Sequence, residues 1–104
     1  MPHTVVENIA ATVEIQSGAV VSKVIHRDEA MNVTVFGFDE GEGLTEHAAS
    51  RTALIHVLTG RLDLVVEGAA YAARAGFWLR MDTGASHSIV AREPTLMLLV
   101  LISS

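Results

Sequence analysis

From Val20 onward, apolar and β-branched residues recur at every second position, interrupted at short intervals by Gly, Asp and Glu. A side-chain period of two belongs to a pleated strand rather than a helix. The pattern predicts strands near 20–26, 32–38, 45–48, 52–59, 61–67, 70–74, 77–82, 86–91 and 95–102. The breaks fall at 39–43, Thr59-Gly60, Glu67-Gly68, Ala75-Gly76 and Thr83-Gly84-Ala85, where glycine suits tight turns. Many short, evenly spaced strands predict an all-β sandwich or closed barrel. The first 19 residues lack this rhythm; Glu7 to Val13 suits either a short helix or a loose strand.

The alternation also sorts faces. In 61–67, Leu62, Leu64 and Val66 share one side while Arg61, Asp63 and Glu67 take the other. By contrast, Leu96 to Ile102 is apolar on both faces, as are Leu54, Ile55, Val57 and Leu58. A strand of an isolated barrel should show one face to water, so a second buried surface is expected. A homodimer using the outward faces of 52–58 and 95–102 is the simplest way to supply it. An apolar share of 50% against 18% charged residues points the same way.

Length and charge narrow the rest. A chain of 104 residues is one domain, and no linker or internal repeat divides it. The absence of cysteine excludes disulfides and thiolate metal sites. With net charge −5, one lysine and scattered arginines, no basic stripe exists for nucleic acid. Met1 to Glu7 lacks the charged start and apolar run of a signal peptide. The apolar run Leu96 to Ile102 is too short to cross a bilayer. A cytoplasmic protein with no membrane partner is expected.

Two glycine-and-histidine patterns carry the chemistry. The first runs Gly41, five residues, His47, then on to Gly60. The second runs Gly76, five residues, Asp82, one residue, Gly84, two residues, His87, three residues, Ala91. Together they resemble the two motifs of the cupin family, small double-stranded β-helix (jelly-roll) barrels that often hold a divalent metal. In that family the first motif carries His-x-His and a Glu, and the second a further His. This chain keeps the outer histidines, His47 and His87, but has Ala49 and Ala53 at the inner histidine and glutamate positions. The resemblance implies a cupin barrel over 20–104, preceded by a segment, 1–19, that is partly ordered or held in a dimer contact. It also implies paired subunits, a small-molecule ligand in the barrel mouth, and one divalent metal ion (Zn, Fe, Mn, Ni or Cu). With two of the four ligand positions lost, the alternative is no metal at all.

His47 and His87 are the candidate ligands, since neutral imidazole suits all these metals. A catalytic metal typically needs three protein ligands. His56 is the obvious third, yet strand geometry opposes it. If Ala53 points inward, Ile55 and Val57 do too, and His56 points outward with Leu54 and Leu58. Only a β-bulge between Ala53 and His56 would turn it inward. Glu42 and Glu46 near the mouth are further candidates, and more simply solvated loop charges. Phe36, Phe38, Ala49, Ala53, Ile55, Met81 and Ile89 are expected to line the interior. The two alanines would leave a wide, apolar mouth suited to a small hydrophobic ligand.

Two functions compete on these residues. One is a metal-dependent enzyme of dioxygenase or isomerase type, with His47 and His87 holding the ion. The other is a non-catalytic binding or sensor protein without a working metal site. Metal-free acid–base catalysis ranks third, because Glu46 and His47, as strand neighbours, face opposite ways.

Overall fold

The two-residue period becomes nine strands in a computed structural model that describes residues 2–103. They are β1 (Val20–Arg27), β2 (Met31–Phe38), β3 (Gly43–Ala48), β4 (Thr52–Thr59) and β5 (Arg61–Val66). The last four are β6 (Ala69–Arg74), β7 (Trp78–Met81), β8 (Ser86–Ala91) and β9 (Thr95–Ile102). Observed ends depart from the expected ones by two residues at most, at β3, which starts at Gly43. All pairings are antiparallel, in a five-stranded sheet, β1-β2-β9-β4-β7, and a four-stranded one, β3-β8-β5-β6. The sheets face each other as the two walls of a double-stranded β-helix barrel.

Of the two forms open to Glu7 to Val13, the short helix occurs, reduced to a single 3-10 turn over Ile9–Ala11 without a side-chain cap. The segment after it lies along the outside of the five-stranded sheet. There Val13, Ile15 and Val21 crowd Gly37, each 3.1–3.2 Å from where its Cβ would stand. That glycine leaves room for a covering strip of hydrocarbon.

The core sits where the inward faces meet. Phe38, Ile55, Val57, Leu62, Leu64, Ile89 and Met97 are all buried. Burying each such side chain is worth about 1.5–3 kcal/mol. Buried Thr95 is satisfied: its Oγ1 accepts from the Arg61 amide at 2.9 Å and donates toward the Glu93 carbonyl at 2.8 Å. Gly60 permits this knot, because φ is +87° and a Cβ there would collide with Thr95 Oγ1 and the Pro94 carbonyl. No other residue fits.

One tight turn is tied in beside the barrel mouth. Between β5 and β6, Glu67 and Gly68 both adopt positive φ, 48° and 81°, as a two-residue hairpin loop of the twist-matched kind requires. Glu67 is tied to β8, accepting the Ser86 amide at 2.6 Å and donating its own to the Ser86 carbonyl at 2.8 Å. This fixes the hairpin beside the residue that precedes His87.

Candidate functional site at the barrel mouth

His47 and His87 lie directly opposite each other on the neighbouring strands β3 and β8. Their rings are 4.0 Å apart, centroid to centroid, and tilted by 58°. An irregularity in β3 creates this meeting. Leu44 pairs with buried Ile89, yet His47, three residues on, pairs with His87, only two residues back. The extra residue is a β-bulge, which shifts the phase of the strand. Without it Glu46 would share the inward phase of Leu44, and His47 would face out.

The two rings are held in the same way. His47 Nδ1 is 2.8 Å from the Thr45 carbonyl, and His87 Nδ1 is 3.1 Å from the Ala85 carbonyl. A carbonyl only accepts, so each Nδ1 carries the proton and each neutral ring keeps a lone pair on Nε2. Burial lowers the pKa of His87; a charge on His47 would lower it further, while the Ala85 hydrogen bond opposes both. His47 is exposed at the rim and His87 is buried below it.

Facing the pair is a cavity of about 130 Å³. Its other walls are Ala49, Ala53, Met81, Leu99 and Leu101, with Ser50 at the lip. The polar side therefore comes from the four-stranded sheet and the hydrocarbon mainly from the five-stranded one. A cavity of ~150 Å³ can take a benzene-sized molecule, so this mouth is narrower than its two alanines suggested. Met81 at its base is 4% exposed and fills part of the space the alanines leave. A larger groove, about 620 Å³, runs between the N-terminal segment and β1–β2. Its polar pair, His26 and Asp28, is already joined at 2.7 Å.

The remaining candidates fall elsewhere. His56 is corrected: β4 keeps regular register with β7 from Ala53 to His56, so no bulge turns it inward. It stands on the outer face, beside Trp78 and Leu98 in the adjoining strands. Glu46 is exposed on the opposite side of β3 from His47, and Glu42 sits in the turn before it. Of the seven apolar residues expected around the interior, Ala49, Ala53 and Met81 line the cavity. Phe38, Ile55 and Ile89 are packed into solid core, and half-buried Phe36 stacks on Phe38 at 5.8 Å. Leu99 and Leu101 had not been singled out; a strand apolar on both faces hides which residues point in.

The donor set does not suit a resident metal. Among the described residues no group of three or more His, Cys, Asp or Glu side chains could hold an ion. The positions that would complete the set carry the methyl groups of Ala49 and Ala53. Two imidazoles fall one short of the usual catalytic minimum.

Three solved structures share this architecture. One is an RmlC-like cupin from Desulfovibrio desulfuricans, 24% identical, TM-score 0.85, matched over 97% of this chain and 98% of that one. Another is a Cupin 2 conserved barrel domain protein from Leptotrichia buccalis, 31% identical, TM-score 0.84, over 91% of this chain and 46% of that one. This chain has the cupin fold. A conserved protein of unknown function from Streptococcus pyogenes matches it over its whole length and over 91% of that chain, with 24% identity and TM-score 0.87. No protein-family model and no curated protein matches the sequence. No helix among the described residues is long and apolar enough to cross a membrane.

Proposed function

We propose that this cupin binds a small molecule at the His47–His87 mouth without a resident metal. The carrying observation is the two-sided cavity: a pair of imidazoles on one wall and unbroken hydrocarbon on the other. Such a site anchors a ligand's polar head and buries its body. The metal-dependent enzyme loses ground because Ala49 and Ala53 stand where further ligands would be needed.

Amide-resolved NMR with a library of compounds of five to eight heavy atoms tests the reading. Shifts clustered at Ala49, Ala53, His87 and Leu101 are expected. No shifts there, or shifts confined to the His26 groove, would reject it. Metal analysis of protein prepared without nickel affinity should find only traces, unchanged in a His47→Ala, His87→Ala variant. A stoichiometric metal lost in that variant would overturn the metal-free part.

The assembly we propose is a homodimer through the outward face of the five-stranded sheet. Leu54, Leu58, Leu98, Val100 and Ile102 are only half-buried there, and Trp78 is 60% exposed. Val13 and Ile15 already shield the β1–β2 side. The uncovered part centres on β9 and β4, where among the described residues His56 is the one titratable side chain on the face. Lys23 and Arg80 sit on the edge strands, so a second copy can approach without facing like charge at the centre.

A further inference from the structure

Both imidazoles spend their only proton on the backbone two residues before them, at the Thr45 and Ala85 carbonyls. What each neutral ring offers the cavity is therefore an acceptor, Nε2, and neither Nε2 has a partner among the described residues. Ring centroids 4.0 Å apart place both acceptors within ~3 Å hydrogen-bond reach of a single donor atom set between them. A carboxylate or phosphate head brings lone pairs against lone pairs. A hydroxyl has one proton for two acceptors. A primary nitrogen has at least two.

We propose that the ligand of this site is a compact apolar molecule headed by a primary nitrogen, an amine or a primary amide, whose N–H groups bridge His47 Nε2 and His87 Nε2. This rests on the mouth being the binding site and adds the chemistry of the head. The body is limited by the cavity of about 130 Å³, less than the ~150 Å³ that admits benzene. Its walls, Ala53, Met81, Leu99 and Leu101, ask for branched hydrocarbon. Selectivity follows from the buried partner: a head that satisfies His47 at the rim but leaves His87 Nε2 bare loses the hydrogen bond that replaced water. The net charge of −5 disfavours anions at longer range and favours an ammonium.

Isobutylamine, isobutyramide, isobutanol and isobutyrate share one branched body and differ in the head. Their titration by amide-resolved NMR at pH 8 is the test. At least one of the two nitrogen compounds should bind tenfold or more tightly than both the alcohol and the acid. If the amine alone does so the head is an ammonium; if the amide matches it, hydrogen-bond count decides. In a His47→Leu, His87→Leu variant the preference should collapse to within about twofold. Isobutyrate or isobutanol binding as well as both nitrogen compounds would overturn the head assignment while leaving the mouth as the binding site. A preference that survives in the double-leucine variant would overturn it too. No mouth shifts with any of the four, or with the wider library, would sink both readings together.

Discussion

The outward faces of the two sheets differ in how much hydrocarbon they carry. On the four-stranded sheet, Asp63 accepts from Arg92 Nε at 2.6 Å and from Arg61 at 3.3 Å, among Ser86, Ser88, Ala70 and Ala72, with Val65 and Val90 as the larger apolar residues. On the five-stranded sheet the equivalent places hold Leu54, Leu98, Val100, Ile102 and Trp78. Inside the barrel the contrast repeats. The first sheet brings both histidines to the mouth, while the second contributes hydrocarbon. One sheet therefore carries the chemistry and meets water, and the other carries the bulk of the apolar surface. An enclosed apolar core needs only one apolar face per sheet, so the surplus on the five-stranded sheet calls for a use outside the barrel.

The largest expected effect comes from charging that surplus. A Leu54→Glu, Leu98→Glu variant should weaken self-association more than a hundredfold, since two buried leucines are worth about 1.5–3 kcal/mol each. Ala72→Glu on the other sheet should leave it unchanged. Sedimentation of all three proteins at micromolar concentration decides this; a parent that is already monomeric would end the dimer reading.

Next in size is Gly43→Ala. Any Cβ at Gly43 would run into the Ile89 carbonyl across the β3–β8 ladder. Pushing the strands apart should cost about 2–3 kcal/mol and move His47 relative to His87. A urea midpoint equal to the parent's would show that the four-stranded sheet is less tightly drawn at the mouth than its backbone indicates.

A smaller effect concerns His87. Its pKa lies below the ordinary 6.5 because burial disfavours the charged ring. As pH falls through that value, the unfolded chain takes up a proton that the folded chain resists. Stability should therefore decline below about pH 6.5 and level off beneath the folded-state pKa. His87→Gln should remove this part of the slope between pH 7 and pH 5 in urea titrations; an unaltered slope would place the pH dependence elsewhere.

The smallest is Asp63→Asn. Arg92 and then Arg61 hold the Asp63 carboxyl below its usual range, but the group lies at the surface, where ion pairs contribute little. Melting should shift only slightly, and the shift should vanish in ~1 M salt. A large, salt-insensitive loss would mean that the charged face is structural rather than a solvent coat.

Much of this arrangement could be read from alternation alone. The inward phase of Ala53, Ile55 and Val57, and hence the outward phase of His56, followed from a period of two. The break at Glu67-Gly68 marked a hairpin, and the one at Thr59-Gly60 the crossing from one sheet to the other. Two things stayed hidden for physical reasons. Leu99 and Leu101 belong to a strand apolar on both sides, so periodicity carries no phase there. The bulge in β3 has no residue signature: Thr45 and Glu46 are ordinary strand residues, and only the ladder to β8 shows that one is supernumerary. The breadth of the mouth was misjudged because Met81 comes from a different strand than the alanines and its reach is not a pattern.

That supernumerary residue makes the site's chemistry a matter of parity. Because β3 enters the mouth one step out of phase, its side chains are dealt to the interior as on a shifted comb. Removing a single residue, Thr45, would make the ladder regular and leave His47 still opposite His87. Straightening the bulge with every residue kept would do the reverse: Thr45 would meet Ser88, Glu46 would present a carboxylate to His87, and His47 would turn to water. A two-acceptor pocket would then become an acid–imidazole pair of the kind used in proton transfer. In a barrel of this design a slip of register by one residue, with neither histidine substituted, could carry a descendant from one ligand chemistry to another.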